Sequence, residues 1–489
     1  MGILKKAKSL LSADIYNDTK ASDYMYGRKG PWPQPCPVHP FGESPAVIHV
    51  PWSEWADWWL HIGSRYLLSL GYTPVAFLKG LLRPGLEKVS DQEFTEFFER
   101  SMMSKFITSK IDEEDKINFG SYWEQWKDKS KLYIVDLSCI SVVKTFEGIY
   151  ASATKVLLNE VSPYKYEVLG IYVKESQEVF IPSDQGAWEL AKYYVLQGAA
   201  IAATLVIHPV LHFPFDSINA ITKTALPKEH ILFKLIYPHL RFTLPLENAV
   251  LNFKSSLLMS KAWMSYAPYP GGSEGLRDLL VEGYRGIRGN DSYPAFQYPL
   301  TPHKVHSHYG DWQDRYYKAF YLFVSDILKD VEKGDIFIWR WANYISAHVP
   351  GFPNGDEIFK EDRLIKAVAM YLWNVSVAHS VDHYNYGNMD IRKVPLRIRQ
   401  APPHKGVDLM DRKKLTKFWD YGKYEMARIL FFRANEVTCL IDCQYDFQEE
   451  HLQSRVAQFK SHLHQIDIET KEEGIQFIPL SKIAASIQY

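Results

Sequence analysis

Apolar positions recur with a helical period along most of the chain and predict a mainly α-helical protein. Spacings of three and four residues indicate one helix over Trp52–Leu82 and another over Asp91–Ile107. Two shorter runs, Lys131–Ile140 and Tyr166–Val173, have the composition of β-strands. Further helices are predicted over four stretches with the same spacing: Asp311–Val331, Ile336–His348, Leu415–Ile441 and Asp446–His464.

Two helices are predicted to lie at the centre of the fold. Asp184–Phe213 and Asp362–Tyr384 are apolar on almost every face, which is typical of helices buried on all sides. The run from Val195 is also long enough to suggest a membrane span. Gln197 and Thr204 lie within it and are costly in lipid, so we predict a buried core helix and no transmembrane segment. Peripheral contact with a membrane stays open.

The N-terminal region differs in composition from the rest. Residues 13–52 are rich in Pro, Gly and Tyr, so residues 1–50 are predicted to form an irregular arm. No internal repeat or low-complexity linker follows, and residues 1–489 are expected to form a single domain.

Composition and charge narrow the function classes. Aromatic residues make up 15% of the chain, which favours a bulky core or an aromatic-lined cavity. A formal net charge of −1 gives no electrostatic basis for binding nucleic acid. Four cysteines are too few for a disulfide framework, so a reduced, cytoplasmic location is expected.

Two histidine pairs carry the candidate chemistry. His208 and His212 (HPVLH) lie four residues apart, as do His379 and His383 (HSVDH), and each pair occupies one predicted central helix. Residues four apart share a helix face, so two packed helices could direct four neutral imidazoles at one metal ion. Iron, copper, zinc and nickel all accept imidazole. A single buried histidine is usually a hydrogen-bonded core residue, but two such pairs favour a metal site.

Pro209 predicts a distortion of the first of these helices. Proline lacks the amide that would bond back to Leu205, so the helix should be perturbed beside His208. Local widening of a helix is common at functional sites, and a simple kink is the alternative.

The segment HILFKLIYPHLRFT, His230–Thr243, closely resembles the lipoxygenase signature HPxxxLLxPHxRxT. His230 and His239 match its two histidines and Arg241 its arginine. In that family the segment is structural and does not bind metal. Further segments resemble the family in the same order along the chain: LYIVDL (Leu132–Leu137), WELAK (Trp188–Lys192), VPGFP (Val349–Pro353), WNVSVAHSVDHYNYG (Trp373–Gly387) and the ending IPLSKIAASIQY.

The resemblance implies a lipoxygenase-like catalytic domain, mainly α, built around long central helices with minor β-strands. Family-like sequence begins by about residue 130, which leaves no room in the numbering for the family's N-terminal β-barrel domain. The chain is therefore expected to be of the compact kind.

Carrying the family's iron ligands onto this chain reveals departures. The first ligand falls on Ala203, which has no donor atom, and the second on His208. His212 lies one residue short of a third, normally non-ligand, histidine. His379 matches the third ligand, and His383 stands where the family usually has Asn or another weak ligand. The resemblance thus implies a rearranged site formed by the two four-spaced pairs.

The family's last ligand is the carboxylate of a terminal isoleucine. Ile487 occupies that place here, but Gln488 and Tyr489 follow it. The carboxylate of Tyr489 is therefore the candidate fifth ligand. Without an anionic ligand, a four-histidine site should have a raised iron potential.

By resemblance, the expected function is that of a non-heme iron oxygenase or oxidase, with another transition metal as an alternative. Lipoxygenases remove a hydrogen atom from a doubly allylic carbon, and dioxygen then adds. The expected partners are dioxygen and a small hydrophobic substrate, either a polyunsaturated fatty acid or a secondary metabolite. The alternative is a catalytically inactive protein that binds lipid or a partner, with Ala203 as the mark of lost activity.

Overall fold

The computed structural model describes residues 25–27, 46–49, 52–243, 268–272, 275–276, 278–279, 282–283, 307–346, 349, 351–432 and 437–488. Within these residues helices predominate over strands, which confirms the predicted mainly α fold class. The α-helices are α1 (Trp52–Leu82), α2 (Asp91–Arg100), α3 (Glu113–Phe119), α4 (Ser121–Trp126), α5 (Gly186–Ala202), α6 (Phe213–Ala225), α7 (Ile231–Ile236), α8 (His308–Leu328), α9 (Ile336–Ser346), α10 (Arg363–Trp373), α11 (His379–Gly387), α12 (Arg412–Leu415), α13 (Phe418–Ala427) and α14 (Glu450–Glu472).

The strands form two antiparallel sheets. A pair joins β1 (Met25–Gly27) to β2 (Ala46–His49). The larger sheet has the order β3-β4-β5-β6-β7. Its strands are β3 (Ile107–Thr108), β4 (Leu132–Asp136), β5 (Thr154–Ser162), β6 (Lys165–Val173) and β7 (Glu178–Phe180). This sheet packs beside α5, so it supports one of the central helices.

Three sequence predictions need correction. The helix predicted over Asp91–Ile107 ends at Arg100 and is followed by a 3-10 turn, because Ser101 leaves the helical conformation and its hydroxyl caps that turn. The stretch predicted as one helix over Leu415–Ile441 contains α13 and a π-helix over Arg428–Phe432, but Cys439 is extended because its backbone pairs with Ala484, and a separate 3-10 turn follows it. Of the predicted irregular arm, β1 and β2 are regular, because their backbones pair with each other; its other residues lie outside the described residues.

The two apolar helices lie at the centre, as predicted. Their continuous helical stretches, Gly186–Ile207 and Arg363–Asn388, are long and apolar enough to cross a membrane, but 94% and 89% of their most apolar windows are buried inside the protein. Burial by neighbouring protein explains their apolar character without lipid.

The segment that resembles the lipoxygenase signature has structural contacts. The His239 ring is fully buried; its Nδ1–H donates to the Ala485 carbonyl at 2.6 Å, and its Nε2 accepts from the Tyr445 hydroxyl at 2.9 Å. Burial lowers the pKa of His239 to about 4, so the ring is neutral and matches both partners. His230 caps α7 by accepting the Leu232 N–H at 3.1 Å. The bond from His239 to Ala485 attaches the C-terminal tail to the core.

Candidate metal centre

The first histidine pair follows a widened turn of its helix. After α5 the backbone forms a π-helix over Ala203–Ile207, in which the His208 N–H donates to the Ala203 carbonyl five residues back. A 3-10 turn, His208–Leu211, then contains Pro209. The helix is therefore distorted beside His208, at the place where the missing proline amide predicts it.

The second pair follows a similar turn. Between α10 and α11 the backbone forms a π-helix over Asn374–Ala378, and the His379 N–H donates to the Asn374 carbonyl. No proline lies in this stretch, so this π-helix could not be predicted from the local sequence. π-Turns inside α-helices occur frequently at functional sites, and here each one directly precedes a histidine pair.

The four histidines of the two pairs meet between the helices. One nitrogen from each of His208, His212, His379 and His383 lies within 4.8 Å of the others. The His208 and His212 Nε2 atoms are 2.8 Å apart, and the His212 and His379 Nε2 atoms are 3.1 Å apart. The His383 ring centroid lies 4.6 Å from those of both His208 and His379. The structure thus brings together the four residues that the sequence singled out.

These separations suit donors around one ion. With a metal–imidazole distance of about 2.0–2.1 Å, two nitrogens at a right angle lie about 2.9 Å apart. The observed Nε2 separations of 2.8 and 3.1 Å are close to this value. The donor set is all-nitrogen and does not select among iron, manganese and other transition metals by itself.

Burial keeps the imidazoles in the form that binds metal. His379 is fully buried, His208 and His383 are at least nine-tenths buried, and His212 is partly exposed. Desolvation lowers the pKa of His208, and it holds the pKa of His212 and His379 well below the usual value. Neutral imidazole has the lone pair that a metal requires.

A carboxylate supports the site from outside the histidine cluster. Asp382 is buried, and its Oδ2 lies 3.6 Å from His208 Nδ1. Lys105 donates to both carboxylate oxygens at 2.6 and 2.8 Å, and the Tyr309 hydroxyl donates to Oδ1 at 2.6 Å. Burial alone would raise the pKa of Asp382, but the charge of Lys105 and the contact with His208 lower it to about 2. The ionised carboxylate can therefore orient His208 with Nε2 toward the cluster.

Tyr386 completes the surroundings of His208. It lies on α11, and its hydroxyl is 3.1 Å from His208 Nε2, the nitrogen that faces the other histidines. Four residues near the histidines were not predicted from the sequence: Asp382, Lys105, Tyr309 and Tyr386. Asp382 and Tyr386 flank His383 within four residues, which was a usable signal, whereas Lys105 is 277 residues from Asp382 and no local pattern links them.

The C-terminal tail packs against the second pair. The Ala484 N–H donates to the Ser380 hydroxyl at 3.0 Å, one residue after His379. Ile487 and Gln488 are buried, and the Gln488 side chain accepts the Val437 N–H at 2.6 Å. Tyr489 lies outside the described residues, and its role as a ligand stays a prediction.

No protein-family model matches the chain. Among curated proteins, the epidermal-type polyunsaturated fatty acid (12S)/(13S)-lipoxygenase of Mus musculus is 25% identical over 308 residues. The match covers 56% of this chain and 44% of the mouse protein, so the chain matches less than half the length of that relative.

Solved structures share the fold over nearly the whole chain. A lipoxygenase crystal structure with a short engineered deletion superposes with a TM-score of 0.75 at 13% identity, covering 98% of this chain and 81% of that one. Coral 8R-lipoxygenase gives a TM-score of 0.72 at 14% identity, covering 100% and 82%. Manganese lipoxygenase of Gaeumannomyces graminis gives 0.70 at 13% identity, covering 100% and 99%. The chain therefore has the lipoxygenase fold.

Proposed function

We propose that this protein is a non-heme, metal-dependent dioxygenase that oxidises a polyunsaturated fatty acid or a related apolar compound. The observation that carries the proposal is the convergence of four imidazoles, at least three of them nine-tenths buried or more, at the centre of a lipoxygenase fold. The mouse relative is described as acting on polyunsaturated fatty acids, and one similar structure is a complex with arachidonate.

Iron is the metal that we propose, with manganese as the alternative. His208, His212, His379 and His383 would hold it, and when bound it would supply one-electron oxidation of the substrate. Four neutral imidazoles leave the charge of a divalent cation uncompensated. The nearby Asp382 carboxylate is itself paired with Lys105, so it offsets little of that charge. A further anion is therefore part of the proposal, and the carboxylate of Tyr489 is the candidate.

The chain's own residues have two roles in this proposal. The negative charge of Asp382, 3.6 Å from His208 Nδ1, favours a proton on that nitrogen and so leaves Nε2 with the lone pair for the metal. Tyr386 places its hydroxyl 3.1 Å from His208 Nε2. From there the hydroxyl can donate a hydrogen bond to an oxygen atom of a molecule bound beside the histidines. The buried helices around both residues limit the access of water to the site, where His212 is the one histidine of the four that is partly exposed.

Replacing Asp382 by asparagine is expected to weaken metal binding by about 10- to 100-fold, because the partner that orients His208 becomes neutral. The measurement is the dissociation constant of the metal, obtained by competition with a chelator. Asp390→Asn is the matched control, because that carboxylate pairs with Arg392 away from the histidines. An unchanged dissociation constant in Asp382→Asn contradicts the orienting role.

Oxygen uptake by the purified protein tests the function. With about one iron per chain, linoleate or arachidonate should support oxygen consumption and formation of a conjugated diene, and chelation should abolish both. Stoichiometric iron with no oxygen uptake on any polyunsaturated or aromatic substrate contradicts the proposed activity.

A binding protein without catalysis is the second candidate. The replacement of a family ligand by Ala203 favours it. In that case the purified protein should contain no stoichiometric metal and yet retain affinity for fatty acids.

A further inference from the structure

The outer face of α1 exposes an unusual amount of apolar surface. Seven side chains over the last four turns of this helix are each between 41% and 73% exposed. They recur at helical spacing and form one stripe about 22 Å long. This apolar face consists of Leu67, Leu68, Leu70, Val75, Leu78, Leu81 and Leu82.

The apolar face carries no negative charge. The acidic residues of α1 are Glu54 and Asp57, and both are buried in its first two turns, where they pair with Lys223 and Arg241. Lys79 borders the face, with 47% of its side chain exposed. Large exposed apolar surfaces of this kind mark contact with a protein or a membrane.

A group of cations lies at the C-terminal end of α1. Arg83, Lys413, Lys414 and Lys417 are all exposed. The Leu86 N–H donates to the Arg412 carbonyl at 3.0 Å, which brings the lysine-rich segment against the end of the helix. None of the ion pairs found among the described residues involves these four side chains. We call them the basic rim.

The apolar face and the basic rim belong to one surface. Trp419 is 49% exposed and packs on Phe77 of α1 with ring centroids 4.8 Å apart, one turn before Leu81. A shallow recess separates the helix end from the lysine-rich segment, and Arg83 and Lys417 both line it.

We propose that this surface docks onto a bilayer that contains anionic phospholipids. α1 lies parallel to the membrane–water interface, and the leucines of the apolar face reach the boundary between headgroups and acyl chains. The basic rim contacts the lipid phosphates. α1 is not among the two helices that are apolar enough to cross a membrane, in agreement with a helix that lies flat. A second copy of the chain fits less well, because its apolar face offers no acidic residue to the basic rim.

This inference does not depend on the metal centre. Arg83 and the lysines of the basic rim have no contact with the four histidines or with Asp382 among the described residues. Vesicle binding can therefore succeed or fail independently of oxygen uptake.

Co-sedimentation of the full chain with vesicles tests the proposal. The protein should partition onto phosphatidylcholine vesicles that contain phosphatidylserine, and added salt should weaken the partitioning. Lys413→Gln/Lys414→Gln/Lys417→Gln should lower the partition coefficient about a hundredfold on these vesicles, since each lysine near an anionic surface contributes about fivefold. Leu78→Ser/Leu81→Ser/Leu82→Ser should lower it at least about tenfold.

Matched controls replace residues that are equally exposed elsewhere. Ile117→Ser/Leu322→Ser/Ile468→Ser removes three side chains that are 77%, 54% and 52% exposed, and it should bind like the wild type. Lys329→Gln/Lys333→Gln/Lys471→Gln serves the same purpose for charge. Unchanged far-ultraviolet circular dichroism in each variant shows that the fold is intact.

Several results would overturn the proposal. One is a wild-type protein that stays in the supernatant with vesicles that contain phosphatidylserine; another is equal loss of binding in test and control variants. Concentration-dependent dimerisation that the leucine variant abolishes, without any vesicle binding, would assign the apolar face to a second copy of the chain.

Discussion

Replacing His379 by alanine is expected to reduce bound iron from about one atom per chain to less than about one tenth, because a buried donor is lost from the middle of the cluster. His379 is fully buried, its Nε2 lies 3.1 Å from that of His212, and its ring centroid lies 4.9 Å from that of His208. Elemental analysis of purified protein measures the change. Oxygen uptake on fatty acids should disappear with the metal.

Two further variants make this result specific. His379→Gln preserves most of the side-chain volume, so loss of metal in both variants excludes a simple packing defect. His404→Ala removes an exposed imidazole, with 59% of its side chain accessible, and should retain the metal. Full iron content in His379→Ala would show that the cluster does not bind the ion.

Replacing Asp57 by alanine is expected to lower the free energy of unfolding by about 3–5 kcal/mol. Arg241 donates to both Asp57 oxygens, at 2.8 and 2.9 Å, and both residues are buried. Removal of the carboxylate leaves a buried guanidinium without its bidentate partner. This pair joins α1 to the segment His230–Thr243, whose Arg241 carbonyl also accepts the Ser486 hydroxyl at 3.0 Å. Urea denaturation followed by circular dichroism measures the loss.

The double variant Asp57→Leu/Arg241→Met tests the cause. It removes both charges and fills much of the same volume, so it should recover most of the lost stability. Glu473→Ala breaks the exposed pair with Arg315 and should change the stability only slightly. If Asp57→Ala loses less than about 1 kcal/mol, the buried pair is not a major contributor.

The central helices could be predicted because a helix that is buried on every face is also apolar on every face, and this pattern is visible in the local sequence. Both histidine pairs could be found for the same reason: a spacing of four inside an apolar helix is visible without tertiary information. The resemblance of His230–Thr243 to the lipoxygenase signature then predicted the fold that the structural comparison confirms.

Other elements could not be predicted from local patterns. β5 is buried on both faces over Thr154–Glu160, so it lacks the alternation of apolar and polar residues that indicates a strand. The π-helix before His379 contains no proline from which a distortion of the helix could have been predicted. The contact between Lys105 and Asp382 depends on how distant segments of the chain pack together. No local sequence pattern indicates such a contact.

X-ray absorption at the metal edge of the purified protein tests the central claim most directly. We expect about one transition metal per chain, with nitrogen and oxygen donors as its nearest neighbours and the longer-range scattering of four imidazoles. A protein without stoichiometric metal, or a metal whose spectrum lacks imidazole scattering, would contradict it.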